Sequence, residues 1–265
     1  MGVGAALNRY DSSLTLFSAR QDKRLYKGYP DTAIFCNFGS GAFHHPRWRN
    51  FDFPGQTEYY QAVQGRPFRD FVPINLNQRD LKIPLDDESV SLVYCSHTLE
   101  HLERDSARTF LEECRRVLLP RGVMRIAVPS TDNDFRILGV VASQSGVDQL
   151  TKQRLSKKVA SHILHDSSQL SERDLYQMIR ESHFNAQEFF TEASRAGLVA
   201  PFNPSRPERH ISFWDYGEML LASRDAGFRA CIPFYRGSSL AKPFLNLSVF
   251  DTTEPHISLY AEFVK

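Results

Sequence analysis

The sequence predicts an α/β fold built on an open, mostly parallel sheet with helices on both faces. Residues 90–95 are a short run rich in β-formers (Val90, Val93, Tyr94) between an acidic turn and a polar segment, which is the pattern of a buried strand. Residues 106–119 repeat Ala107, Phe110, Leu111, Cys114, Val117 and Leu118 at helical spacing, so one face of a helix is apolar. Residues 123–128 are a second short apolar run. Strand, helix and strand in this order make a βαβ unit, whose two strands run parallel. Asp105 is placed to cap the helix, and Pro120-Arg121-Gly122 to stop it.

Taken from the start, residues 1–32 are mixed and weakly periodic and read as an arm over the sheet. Residues 33–38 form the first core strand, followed at once by Gly39-Ser40-Gly41. Glycines there let the backbone turn tightly and approach a ligand closely. A second strand ends at Asp52, an acid placed to accept hydrogen bonds from ribose hydroxyls. The dinucleotide fingerprint fails because its third glycine position is His44, and no G-K-[ST] follows, so a nucleoside without pyrophosphate fits better than NAD or ATP. Residues 42–49 are short for a first helix; 54–65 read as a loop or short helix, and 71–76 as a third strand.

Ser96, His97, Glu100 and His101 follow the fourth strand, at the carboxyl edge where open parallel sheets bind ligands. His97 is a candidate base or a loop-holding side chain. No H-E-x-x-H word is present, and no metal is expected. After the fifth strand, Asp132 and Asp134 are candidate bases or helix caps. Residues 135–207 break the strand-helix rhythm and predict a helical insertion, with caps at Ser171 and Asn185 and surface histidines at 162, 165 and 183. Ser212 and Asp215 form a box before another helix that Gly227 ends, and His210 just ahead of it is a base, an acceptor contact or a helix-entry residue. Residues 229–235 and 256–264 are the last two strands, joined by a long connection.

The words Pro84-Leu85-Asp86-Asp87-Glu88-Ser89-Val90, Ser96-His97-Thr98-Leu99-Glu100-His101-Leu102, Arg116-Val117-Leu118-Leu119-Pro120-Arg121-Gly122-Val123 and Ala127-Val128-Pro129 resemble the class I S-adenosylmethionine-dependent methyltransferases. They are most similar to a bacterial subgroup associated with surface-glycan biosynthesis. The resemblance covers residues 33–132 and resumes at 209–264. It implies a Rossmann-like seven-stranded sheet with the last strand antiparallel and a helical insertion (a lid) after strand five. The expected division is 1–32 arm, 33–134 with 208–265 core, and 135–207 insertion. It implies S-adenosyl-L-methionine as cofactor, with Gly39, Ser40 and Gly41 around its methionine part, Asp52 on the ribose, Asn75, Leu76 and Asn77 beside the adenine, and Ser96 and His97 near the sulfur. Asn37 stands where many relatives carry an acid; an amide can still hydrogen-bond there but lacks the charge for an ammonium.

The expected activity is methyl transfer to a small-molecule or glycan acceptor, with O-methylation of a sugar implied by family company. His97, Asp132 and His210 are the candidate bases. A binding or scaffold protein of the same fold, without turnover, is the alternative. The formal net charge of +1 over 265 residues gives no electrostatic support for a nucleic-acid or membrane partner. Four cysteines (Cys36, Cys95, Cys114, Cys231) without a C-x-x-C pair read as buried thiols. With no signal-peptide h-region and no apolar run near about 18 residues, a cytoplasmic protein is expected. The sequence sets no oligomeric state.

Overall fold

The structure, a computed structural model, describes residues 19–43, 45–55, 58–64, 71–164 and 170–265. His44, His165 and the first part of the predicted arm lie outside the described residues. In chain order the elements are α1 (Ala19–Leu25), β1 (Ile34–Phe38), β2 (Trp48–Asp52), α2 (Glu58–Gln64), β3 (Phe71–Pro73), β4 (Val90–Ser96), α3 (Arg104–Val117), β5 (Leu118–Pro129), α4 (Asp132–Ser143), α5 (Gln149–Leu164), α6 (Glu172–Glu181), α7 (Ala186–Arg195), α8 (Tyr216–Asp225), β6 (Ala230–Phe234) and β7 (Ser258–Val264). Single 3-10 turns occupy Leu99–His101 and Lys242–Leu245. The seven strands lie in the order β3-β2-β1-β4-β5-β7-β6. β7 runs antiparallel to both its neighbours, and the other strand pairs are parallel.

The βαβ unit forms as expected, with one difference at its middle. α3 turns Phe110, Leu111, Cys114 and Val117 into the core, all fully buried. Its N-cap is Glu103, without a side-chain cap, and Asp105 sits inside the first turn. The helix passes into β5 without a separate stop, because Leu118 already has extended backbone. Val90 pairs with Leu118 and Leu92 with Val123, so residues 119–122 bulge out of the ladder. Arg121 takes φ 66° there, and the bulge is tied to the chain end by Arg121 N–H donating to the Lys265 carbonyl and Lys265 N–H to the Gly122 carbonyl.

One sheet face packs on α3 and α8. The other is covered by Tyr26 just after α1 and by the connection between β6 and β7, through Phe244 and Phe250. Phe35, Trp48 and Tyr94 supply the sheet side of that cluster, and Trp48 Nε1 donates to Tyr26 Oη at 2.6 Å. Among the described residues no helix joins β1 to β2; aromatic side chains fill the space. Helices α4 to α7 build a separate cluster around Phe135, Leu175, Ile179 and Phe189. Ser171 and Asn185 cap α6 and α7 as expected, whereas α8 is capped by Asp215 alone. Ser212 instead donates to the Leu99 carbonyl. All four cysteines are free and buried. Among the described residues no helix is long and apolar enough to cross a membrane.

Candidate active site

The carboxyl ends of β1, β2 and β4 meet around a tight glycine turn. Gly39 and Gly41 both have left-handed φ, 66° and 52°. The Gly39 and Ser40 amides donate to the Phe51 carbonyl, which ties the turn to β2. Asp52 completes the tie: its Oδ2 accepts from Gly41 N–H at 2.7 Å and its Oδ1 from Phe53 N–H at 2.8 Å. Burial pushes the Asp52 carboxyl above its ordinary value, against hydrogen bonds from Gln64, Gly41, Phe53 and Ser40.

A cavity of about 1150 Å³ opens over this edge. Asn37, Gly39, Ser40, Gly41, Asp52, Asn75, Leu76, Asn77, Ser96, His97 and His210 all line it. Asp132 does not: it is the exposed first residue of α4, where Thr131 is the N-cap. Two of the lining amides also hold local structure. Asn75 Oδ1 accepts from Asn77 N–H, and Asn77 bridges the His101 carbonyl and Glu103 N–H. The wall also includes Thr98, His101, Phe202, Arg206, Ser248, Val249, Thr252 and Thr253, which sequence reasoning did not name as site residues. Thr98 and His101 belong to the Ser96-to-Leu102 word, Phe202 and Arg206 fall within the 135–207 insertion expected as a lid, and Ser248 and Val249 lie in the long connection between the last two strands.

Three histidines of the cavity lining, His97, His101 and His210, lie around the buried carboxylate of Glu100. His97 has φ 49°, an uncommon conformation for a residue with a Cβ, and its amide is held by the Ala127 carbonyl at 2.8 Å. Its Nε2 lies 2.8 Å from Ser258 Oγ. That hydroxyl has a single proton and sits 2.8 Å from the Glu254 carbonyl, which can only accept, so His97 Nε2 donates to Oγ. His97 Nδ1 faces the Glu100 carboxylate at 3.2 Å. Glu100 is 2% exposed. Burial alone would raise its carboxyl, but the hydrogen bond from His97 and the nearby charge of His97, His101 and His210 bring it down to about 2.

The other two imidazoles are oriented by backbone carbonyls. His101 Nδ1 lies 2.9 Å from the Arg209 carbonyl, and His210 Nδ1 lies 3.1 Å from the His162 carbonyl. A carbonyl only accepts, so each Nδ1 carries a proton. The two rings meet edge to face with centroids 5.0 Å apart. The segment carrying His210 is clamped to the 3-10 turn by Ile211 and Ser212 amides on the Glu100 carbonyl and by Trp214 Nε1 on the Leu99 carbonyl.

Residues 56–126 match a family model described as a methyltransferase domain. The match runs from ahead of β3 to Ile126 in β5 and leaves out the glycine turn and Asp52. Among curated proteins, no sequence matches. Solved structures similar to the chain include a SAM-dependent methyltransferase from Archaeoglobus fulgidus (12% identity, 93% of this chain and 90% of that one, TM-score 0.43). Another is a SAM-dependent methyltransferase from Aquifex aeolicus (11% identity, 92% and 88%, TM-score 0.38). The family match supports methyl transfer as the activity and S-adenosylmethionine as the cofactor.

Proposed function

We propose that the chain transfers a methyl group from S-adenosylmethionine to a hydroxyl of a sugar or glycan-related small molecule. The observation that carries this reading is one cavity lined by a glycine turn, a buried acid and oriented imidazoles. Small-molecule sites run to roughly 1,000 Å³, so a space of about 1150 Å³ has room for a cofactor and an acceptor together.

The residues present fit the cofactor. Any side chain at Gly39 would fill the cradle, since a Cβ there would lie 2.0 Å from Thr98 Oγ1. Asp52 is held by the Gly41 and Phe53 amides at the cavity wall, where its carboxylate would meet the ribose hydroxyls. Ser96 Oγ is buried at the wall with no hydrogen bond of ordinary geometry among the described residues. Gly39, Ser40 and Gly41 would hold the methionine part, Asn37 its amine, and Asn75, Leu76 and Asn77 the adenine. When bound, the cofactor supplies an electrophilic sulfonium methyl. Catalysis then rests on alignment and on shielding from water.

A hydroxyl acceptor gains from a base, and His210 is our assignment, with His101 beside it, because both rings line the cavity and each is oriented through Nδ1 by a backbone carbonyl. His97, with both nitrogens turned to proton acceptors, is a wall and positioning residue. Helices α4 to α7 act as a lid over the acceptor, a role supported by Phe202 and Arg206 of the return segment lining the cavity. A cofactor-binding scaffold without turnover is the second reading, favoured by the uncharged amide of Asn37.

The test is calorimetric titration with S-adenosylmethionine and S-adenosylhomocysteine, for wild type and Asp52→Ala, followed by an acceptor screen of sugars and sugar nucleotides. Micromolar binding that Asp52→Ala loses, with methylated product, bears the proposal out. Binding without product on the whole panel favours the scaffold. No binding in folded protein ends both.

A further inference from the structure

The β6–β7 connection reaches the cavity as a tightly held span from Asp251 to Glu254, fastened at both ends. Asp251 is fully buried: its carboxylate pairs with Arg125 at 2.6 Å, its amide donates to Tyr94 Oη at 2.7 Å, and its carbonyl accepts from Arg236 Nε at 3.0 Å. The Glu254 carbonyl accepts from Ile257 N–H at 3.0 Å and from Ser258 Oγ at 2.8 Å. That same hydroxyl meets His97 Nε2 at 2.8 Å, so the far end of the span is tied to the residue that follows β4. Asp251 and Glu254 both take left-handed φ, 55° and 38°. Such backbone is costly for a residue with a Cβ and persists where its surroundings fix it.

Thr252 and Thr253 stand between these anchors. Both are exposed and both line the cavity. Among the described residues neither hydroxyl has a hydrogen-bond partner. A strained, anchored backbone thus presents two unengaged hydroxyls to the cavity, which is how a preorganised contact is built. Sheet order keeps them away from the proposed ribose and adenine contacts. Asp52 ends β2 and Asn75 to Asn77 follow β3, whereas the anchors Tyr94 and His97 belong to β4 and its end, and Ser258 opens β7; β1 stands between the two groups.

We propose that Thr252 and Thr253 are specificity-determining contacts for the acceptor and hydrogen-bond the hydroxyls of a saccharide. Each threonine hydroxyl donates one hydrogen bond and accepts others, as a sugar hydroxyl does, and neither residue carries a charge to favour an ionic group. Tyr94 and Asp251 act through the two threonines as positioning residues. The proposal rests on the methyl-transfer reading, since it names contacts of that reading's acceptor.

The experiment uses the full chain and a fixed set of probes: UDP-glucose, GDP-mannose and methyl α-D-glucopyranoside. Binding is measured by saturation-transfer difference NMR, with and without S-adenosylhomocysteine, and S-adenosylhomocysteine itself is titrated by calorimetry. At least one saccharide should bind wild type. Thr252→Val and Thr253→Val keep the branched shape and should each weaken that binding about 3- to 10-fold, with S-adenosylhomocysteine affinity unchanged. Ser194→Ala, exposed on α7, should alter neither. Circular dichroism checks that each variant is folded, and either threonine variant alone carries the test. Wild type that binds none of the saccharides, or variants that bind them as wild type does, overturns the proposal. Equal loss of saccharide and S-adenosylhomocysteine in the variants overturns it too, because the hydroxyls then serve the cofactor. Saccharide binding that the variants weaken, in protein that binds no S-adenosylhomocysteine, ends the methyl-transfer reading and leaves the threonine contacts standing.

Discussion

Gly39 lies directly under Thr98: a Cβ built on Gly39 would come within 2.0 Å of Thr98 Oγ1 and 2.7 Å of its Cγ2. Left-handed φ and this contact both demand glycine. Gly39→Ala is expected to destabilise the fold by about 1–3 kcal/mol and to weaken S-adenosylmethionine binding at least 10-fold (~1.4 kcal/mol). Adding Thr98→Gly removes the collision but not the backbone strain. Urea melts and calorimetry on the single and double variants should show partial recovery; full recovery, or none, contradicts this account.

If Asp52 holds the ribose as proposed, it sets an acid limit on cofactor binding. Its carboxyl is raised from 3.8 by burial, and in the proposed site the charged form is the one that would accept ribose hydroxyls. Binding therefore favours the ionised state, and affinity should hold near neutral pH and fall as pH drops through this raised value. Asp52→Ala should bind weakly and lose that slope. A wild-type affinity flat down to pH 4 would remove Asp52 from the ribose.

Arg125 is fully buried in the middle of β5, with two carboxylates around it. Its guanidinium donates to Asp251 at 2.6 and 3.0 Å and to Glu262 at 2.8 Å. Tyr94 Oη accepts from the Asp251 amide at 2.7 Å, so the network pins the β6–β7 connection, and with it the cavity wall at Ser248 to Thr253, onto the sheet. Arg125→Met leaves both acids unpaired and should cost about 3–5 kcal/mol, read by chemical denaturation. Arg125→Met combined with Asp251→Asn and Glu262→Gln should recover part of it.

Glu113 should contribute to acid sensitivity. Burial would raise its carboxyl, but hydrogen bonds from Arg116 at 2.7 and 2.8 Å and from Ile83 N–H bring it below 4.5. A depressed folded value means that its stabilisation is complete above the unfolded value and is lost as pH falls through the folded one. Glu113→Gln should lower stability at pH 7 by on the order of 1–2 kcal/mol and by much less at pH 3. Equal losses at both pH values would sink the assignment.

The parts of the fold that follow from local periodicity were legible. The β4–α3–β5 unit, the caps at Ser171 and Asn185 and the cores of all seven strands lie where spacing placed them. Boundaries that depend on tertiary contacts were not. Pro120-Arg121-Gly122 reads as a stop, yet pairing with β4 and the chain end draws it into a bulged strand. Ser212 reads as a cap, yet the Leu99 carbonyl takes its hydroxyl and leaves Asp215 to start α8.

Strand ends marked the glycine turn and Asp52, because the carboxyl edge follows from strand order. Asp132 sits on the same edge by sequence, but α4 begins at that residue and carries it out of the cavity lining. His101 and Glu100 gain their meaning from His210, which a single-sequence reading cannot bring next to them. Arg125 lies in an apolar run whose partners come from residues 251 and 262, so nothing local announces its ion pairs.

The buried cysteines make the protein its own clock for opening. Cys36, Cys95 and Cys114 are fully enclosed in the centre, with thiols pushed up by burial, Cys36 to about 12. Cys231, with its thiol raised to about 11, sits on the edge strand β6. An alkylating reagent reaches the central three only when the sheet itself comes apart, but reaches Cys231 whenever the edge frays. Mass spectrometry of timed alkylation on the unmodified sequence would thus separate the rate of edge fraying from the rate of global unfolding.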